Sequence, residues 1–198
     1  MTSLNNIEIF TNNKATLKET SKSNHNGSAT YMTESILNVV NFDAVKLEYV
    51  RDLSVFETPA SNDALFFDNF DNCYFIEFKS GYIDRKKTFE IRLKIFDSLL
   101  IFTDIVGSGV SFTRNKMSYI LVYNEGKNPL PEGMACGMQV SLSRESIAKY
   151  IIERRAKKKY IRFNLERFEG LYFKDVYTYT EDDFESEFVS KYFCNHQE

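Results

Sequence analysis

Asp63, Glu77 and Lys79 stand in two runs that are otherwise almost wholly apolar, DALFF and CYFIEFK, joined by the polar turn DNFDN. Charges are expensive to bury singly, so their spacing matters. Side chains alternate along a strand, which puts Glu77 and Lys79 on one face and Ile76 and Phe78 on the other. If Asp68 pairs with Asn72, the antiparallel register continues until Asp63 lies opposite Glu77, with Cβ atoms about 4.5–5.5 Å apart. Two carboxylates at that range repel unless a proton or a cation lies between them. A hard divalent ion such as Mg²⁺ suits oxygen donors, and Lys79 is placed to orient a water or to stabilise charge developing on a phosphate. The blander reading is a hairpin with one solvated side and a cross-strand Glu and Lys. Asp68 and Asp71 suit the turn, and either replaces Asp63 in a different register.

Asp63 at the start of one strand and Glu77-Phe78-Lys79 on the next, followed by FEIRLKIFDSLLIF and SYILVYN, resemble the PD-(D/E)xK nuclease superfamily. The resemblance covers about the middle half of the chain, and Asn62 stands where the motif has proline. It implies a restriction-endonuclease-like α/β fold, a mixed central β-sheet flanked by helices. It further implies metal-dependent hydrolysis of phosphodiester bonds in DNA or RNA, with Asp63 and Glu77 holding Mg²⁺ or Mn²⁺ and Lys79 assisting the attacking water. Many members add a glutamate on the preceding helix; Glu34 is the best match and Glu48 the reserve. Glu34 equally suits a solvated acid on a helical first turn. The alternative function is a catalytically silent scaffold of the same fold, used as an interaction or regulatory module.

Several elements must position these residues. YMTESILNVVNF reads as a short helix with Ile36, Leu37 and Val40 inward, and VKLEYV and LSVFE as strands. Thr88 is placed to cap a helix over FEIRLKIFDSLLIF, which is apolar on more than one face, as in a helix packed on a sheet; Glu90 and Lys94 form an i,i+4 pair. MSYILVYN reads as a buried strand, EGKNPLPEG as a loop, and Ser143–Lys159 as a helix with a basic end. FNLERFEGLYFKDVYTYT is strand or irregular. A last helix starts at Thr180 and aligns Phe184, Phe188 and Tyr192. The order predicts an α/β domain over residues 31–198, preceded by a loosely attached arm, 1–30, with one edge strand.

The chain has 198 residues, 18 Phe, 12 Tyr, two His and a net charge of -3. His25 and His196 lie in polar terminal stretches, which sets aside triads and His-ligated zinc. Three cysteines without metal spacing fit a reducing cytoplasm, and no apolar run approaches a bilayer-spanning length. The charge argues against non-specific coating of nucleic acid, so a nuclease would need local basic patches. Arg85, Lys86 and Lys87, just before the expected helix at Thr88, and Arg154, Arg155 and Lys158 are the candidates, against the plainer reading of solvated loops and helix ends. The aromatic C-terminal half, including Phe173 and Tyr177, suggests packing or a homodimer surface.

Overall fold

A computed structural model describes residues 4–25, 28–129 and 160–193. Six strands form one mixed sheet in the order β1-β4-β5-β6-β7-β8: β1 (Lys14–Thr16), β4 (Asn38–Asn41), β5 (Ala64–Phe67), β6 (Cys73–Lys79), β7 (Met117–Tyr123) and β8 (Asp175–Thr180). The first four are antiparallel neighbours, while β6, β7 and β8 run parallel. A separate hairpin, β2 (Lys22–His25) with β3 (Ser28–Tyr31), reaches the end of β6 through a 3.0 Å bond from Ser80 Oγ to Ser23 Oγ.

Each face of the sheet carries its own core. On one lie α1 (Glu8–Asn12), α3 (Phe42–Val50) and the long α4 (Arg85–Ile105), whose Ile91, Ile95, Leu99 and Phe102 pack on Leu65, Phe75, Tyr119 and Leu121. On the other, α2 (Leu17–Thr20) and the C-terminal helical segment pack on Phe66, Ile76, Phe78 and Ile120. That segment starts as α6 (Glu181–Phe184), passes through a π-helical turn, Glu185–Val189, and ends as α7 (Ser190–Phe193). Thr180 caps it by accepting from Asp183 N, and Phe184, Phe188 and Tyr192 are buried in a row, as the spacing predicts. Between α4 and β7 a short helix, α5 (Val110–Lys116), turns the chain back towards the sheet.

Five expectations are corrected. Residues 33–37 are extended and lead into β4, not helical: Thr33, Ser35 and Leu37 are buried and Glu34 and Ile36 exposed in strict alternation. The hydroxyls of Thr33 and Ser35 accept from Ser35 N and Leu37 N, local bonds that compete with helix formation. VKLEYV is helical, because Asn41 caps α3 by accepting from Ala44 N and Phe42 and Val45 provide its buried side. LSVFE forms no strand, and Phe56 is exposed. Asp84, not Thr88, caps α4, its Oδ1 accepting from Lys87 N at 2.7 Å, so Arg85, Lys86 and Lys87 form the first turn. The N-terminal stretch supplies the expected edge strand, β1, but is no loose appendage: Phe10 and Leu17 are completely buried. The basic helix expected at 143–159, with Arg154, Arg155 and Lys158, lies outside the described residues. No single helix among the described residues is long and apolar enough to cross a membrane.

Candidate functional site

The β5–β6 hairpin has the register that brings the acids together. Phe67 pairs with Cys73 and Ala64 with Ile76, and Asp68 N donates to Asn72 O, so Asp63 faces Glu77 at the next step of the ladder. The turn closes because Asp68 Oδ1 accepts from both Phe70 N and Asn72 N, and because Asp71 takes the left-handed conformation at φ 56°. Asp63 Oδ2 also accepts from Phe78 N at 2.7 Å, tying the acid to the strand that carries Glu77 and Lys79.

Glu77 is wholly buried, whereas the side chains of Asp63, Lys79 and Lys94 keep 15%, 21% and 22% of their surface exposed; these three therefore make the rim through which the cluster meets solvent. Lys79 Nζ lies 2.5 Å from Glu77 Oε1. The residue that dominates the geometry is Lys94, which descends from α4 onto the sheet. Its Nζ donates to Asp63 Oδ1 at 3.0 Å and to Glu77 Oε1 and Oε2 at 2.7 and 3.0 Å. Burial works to depress the Lys94 ammonium, but the charges of Glu77 and Asp63 outweigh it and hold the proton well above the ordinary lysine range. Asp63 is pushed up from 3.8 to about 7, first by burial and then by Glu77, against the opposing pull of Lys94, Lys79 and the Phe78 N–H.

Neighbouring groups hold this arrangement in place. Ser98 Oγ accepts from Asn62 N at 2.8 Å and Asp97 Oδ2 from Ala60 N at 2.8 Å, so α4 clamps the chain immediately before Asp63. Asn128 fixes the connection from β6 to α4, accepting from Ile83 N and donating to Gly81 O. Beneath the cluster, the buried Tyr119 hydroxyl and both polar atoms of the Asn62 side chain have no hydrogen-bond partner. Burial, then the charges of Glu77 and Asp63, raise the Tyr119 hydroxyl well above its usual range.

Comparisons with protein families, curated proteins and solved structures find no match. Chemistry must therefore be argued from the cluster itself.

Asp63, Glu77 and Lys79 converge; the other sequence candidates are placed elsewhere or apart. Glu34 pairs with Lys18 at 2.5 Å on an exposed stretch, and Glu48 Oε2 accepts from Asn13 Nδ2, so neither joins the two acids. Among the described residues no three His, Cys, Asp or Glu side chains gather as a metal cage. Mg²⁺ needs no such cage, since one or two carboxylates completed by waters and substrate phosphates are its common setting. The oxygens of Asp63 and Glu77 already converge on one positive charge, so the donor set fits a hard divalent ion that competes with Lys94 for them. Arg85, Lys86 and Lys87 are exposed at the start of α4. Glu90 is held below the ordinary carboxylate range by its bond to Lys87, with the charges of Lys86 and Lys79 adding to the pull. Within the aromatic C-terminal half, expected as packing or a homodimer surface, Phe168 and Phe173 are fully buried, Phe173 packs on Tyr119, and Tyr177 is half-buried and stacks on Tyr179.

Two residues escaped the sequence reading. Lys94 had a signal, because with Ile91, Ile95 and Ser98 it occupies the i, i+3, i+4, i+7 stripe that a helix turns towards its sheet. Tyr119 had none, being one aromatic in a continuous apolar strand.

Proposed function

We propose that this chain is a metal-dependent phosphodiesterase of the PD-(D/E)xK type, acting on DNA or RNA in the reducing cytoplasm. The observation that carries the reading is the facing pair Asp63 and Glu77 on one hairpin, with positive charge between them and Lys79 beside them at the rim. The mixed sheet, with α4 following the hairpin and β7 following α4, supports a restriction-endonuclease-like arrangement. Asp63 and Glu77 would hold Mg²⁺ or Mn²⁺. When bound, such an ion polarises a phosphoryl oxygen and makes a bound water more acidic. Lys79, exposed enough to meet substrate and tied to Glu77, orients the attacking water or stabilises charge developing on the phosphate. The first-turn residues Arg85, Lys86 and Lys87 supply the positive surface along which a phosphate backbone runs. Burial of Glu77 holds its carboxylate in a water-poor setting, where its interaction with a cation is stronger than in solvent.

The test is cleavage of single- and double-stranded DNA and RNA with Mg²⁺ or Mn²⁺. Glu77→Gln and Lys79→Ala are expected to lower the rate by at least about 100-fold with the circular dichroism spectrum unchanged. A wild-type chain inert on all four substrates sinks the reading.

Lys94 favours one second reading, a silent scaffold of the same architecture. An ammonium bonded to both carboxylates already satisfies them, leaving a closed internal ion cluster. Titration calorimetry separates the two. Mn²⁺ binding that strengthens in Lys94→Ala supports the metal site, whereas no binding in either protein supports the scaffold.

A further inference from the structure

The outer line of α4 is apolar where a solvent-facing helix surface is normally polar. Phe89, Leu93, Phe96 and Leu100 are 67%, 45%, 37% and 69% exposed, although the helix already buries a complete inner stripe against the sheet. Their spacing alternates four, three and four residues, which keeps them in one straight seam along the helix. The seam continues at one end to Arg85 and at the other to Asp104, both exposed. It also broadens sideways, because the Phe96 ring packs on Phe168 and Tyr172, next to the exposed Leu171.

We infer that this seam pairs with the same seam of a second copy of the chain, the two α4 helices running antiparallel about a two-fold axis between Lys94 and Ile95. The sequence is self-complementary about that point. The operation sets Leu93 against Phe96 of the other copy, Phe89 against Leu100, and Arg85 against Asp104, each pair equidistant from the axis. A two-fold interface requires such reciprocity, with every contact made twice. A parallel pairing would instead stack like on like and set Arg85 against Arg85. Asp104 engages one oxygen with Tyr49 OH at 2.8 Å, which leaves the other to receive the guanidinium. Four partly exposed side chains from each copy, with Leu171 beside them, amount to on the order of half a standard interface of about 1,600 Å². An interface of that size falls in the class of weak, reversible associations.

Sedimentation velocity of the full chain over a concentration series tests this. The wild type is expected to pass from monomer to dimer, and Leu93→Glu and Leu100→Glu to weaken the dimer at least ~30-fold. Both positions face solvent in the monomer, so each variant should keep the wild-type circular dichroism spectrum. Arg85→Glu and Asp104→Arg should each weaken it, and the two together should restore it. Chains carrying Leu93→Cys mixed with chains carrying Phe96→Cys should form the mixed disulfide in preference to either symmetric one, as the antiparallel arrangement demands. A wild type that remains monomeric at hundreds of micromolar overturns the inference. So does a dimer indifferent to Leu93→Glu and Leu100→Glu, or cross-linking of α4 to residues 130–159 of the same chain.

Discussion

A fully buried glutamate sets the terms at the residue scale. Glu77 is tolerated because two ammonium groups reach it, and Lys94 additionally neutralises Asp63. Lys94→Met leaves two carboxylates facing each other in a mostly buried site, and truncating one partner of a buried ionic group costs about 3–5 kcal/mol. Urea unfolding at neutral pH should show a loss of that order. Asp63 adds a pH dependence of defined sign. Its carboxyl is raised from 3.8 to about 7 in the folded chain, so between those values the native state holds a proton that the unfolded state has released. The contribution of Asp63 to stability is therefore full at low pH, declines as pH rises through about 7, and is constant beyond it. A shift of that size corresponds to at most about 4 kcal/mol. Unfolding free energies of wild type and Asp63→Asn, compared between about pH 4 and pH 8, should diverge in the variant's favour as pH rises. Parallel curves would remove the assignment.

At the scale of elements, α4 is placed by its ends and by one stripe. Asp84 caps it while three basic residues occupy the end where the helix dipole is positive. Asp84→Ala should cost about 1–2 kcal/mol in denaturant unfolding, and Asp84→Asn less, because an amide oxygen still caps. Strands β5, β6 and β7 were legible in the sequence because they are short, apolar and bounded by turn residues. The facing of Asp63 and Glu77 was legible as a consequence of one register, Asp68 with Asn72, which the period of two extends to the acids and which the strand pairing then fixes. The stretch before β4 was not, since two of its inward positions are the polar Thr33 and Ser35 and one of its outward positions is Ile36, which blurs the alternation that signals a strand. VKLEYV alternates as a strand would, yet Leu47 is exposed and the cap at Asn41 decides for helix. Lys94 was legible only as a helix-surface partner of Glu90. Its place on the inward stripe shows its purpose once the sheet beneath contains two acids.

The whole molecule binds its N-terminal stretch into the core. Phe10 stacks on Phe102 and tilts against Phe67, joining the start of the chain to α4 and β5. Phe10→Ala is expected to lower the unfolding free energy by about 3–5 kcal/mol, whereas an appended arm would register under about 0.5 kcal/mol. The ion cluster itself is sequence-local in a fold that is otherwise not. Asp63 and Lys94 are 31 positions apart and Glu77 and Lys94 only 17, while β7 finds β8 by pairing Ser118 with Asp175. Short loops close with less loss of chain entropy and form faster. Folding therefore favours the hairpin and the first turns of α4 as an early unit, with the charges matched while water still reaches them. That order predicts that the long-range strands close over Glu77 only once its ammonium partners are within reach, which φ-values higher in β5 and β6 than in β8 would show.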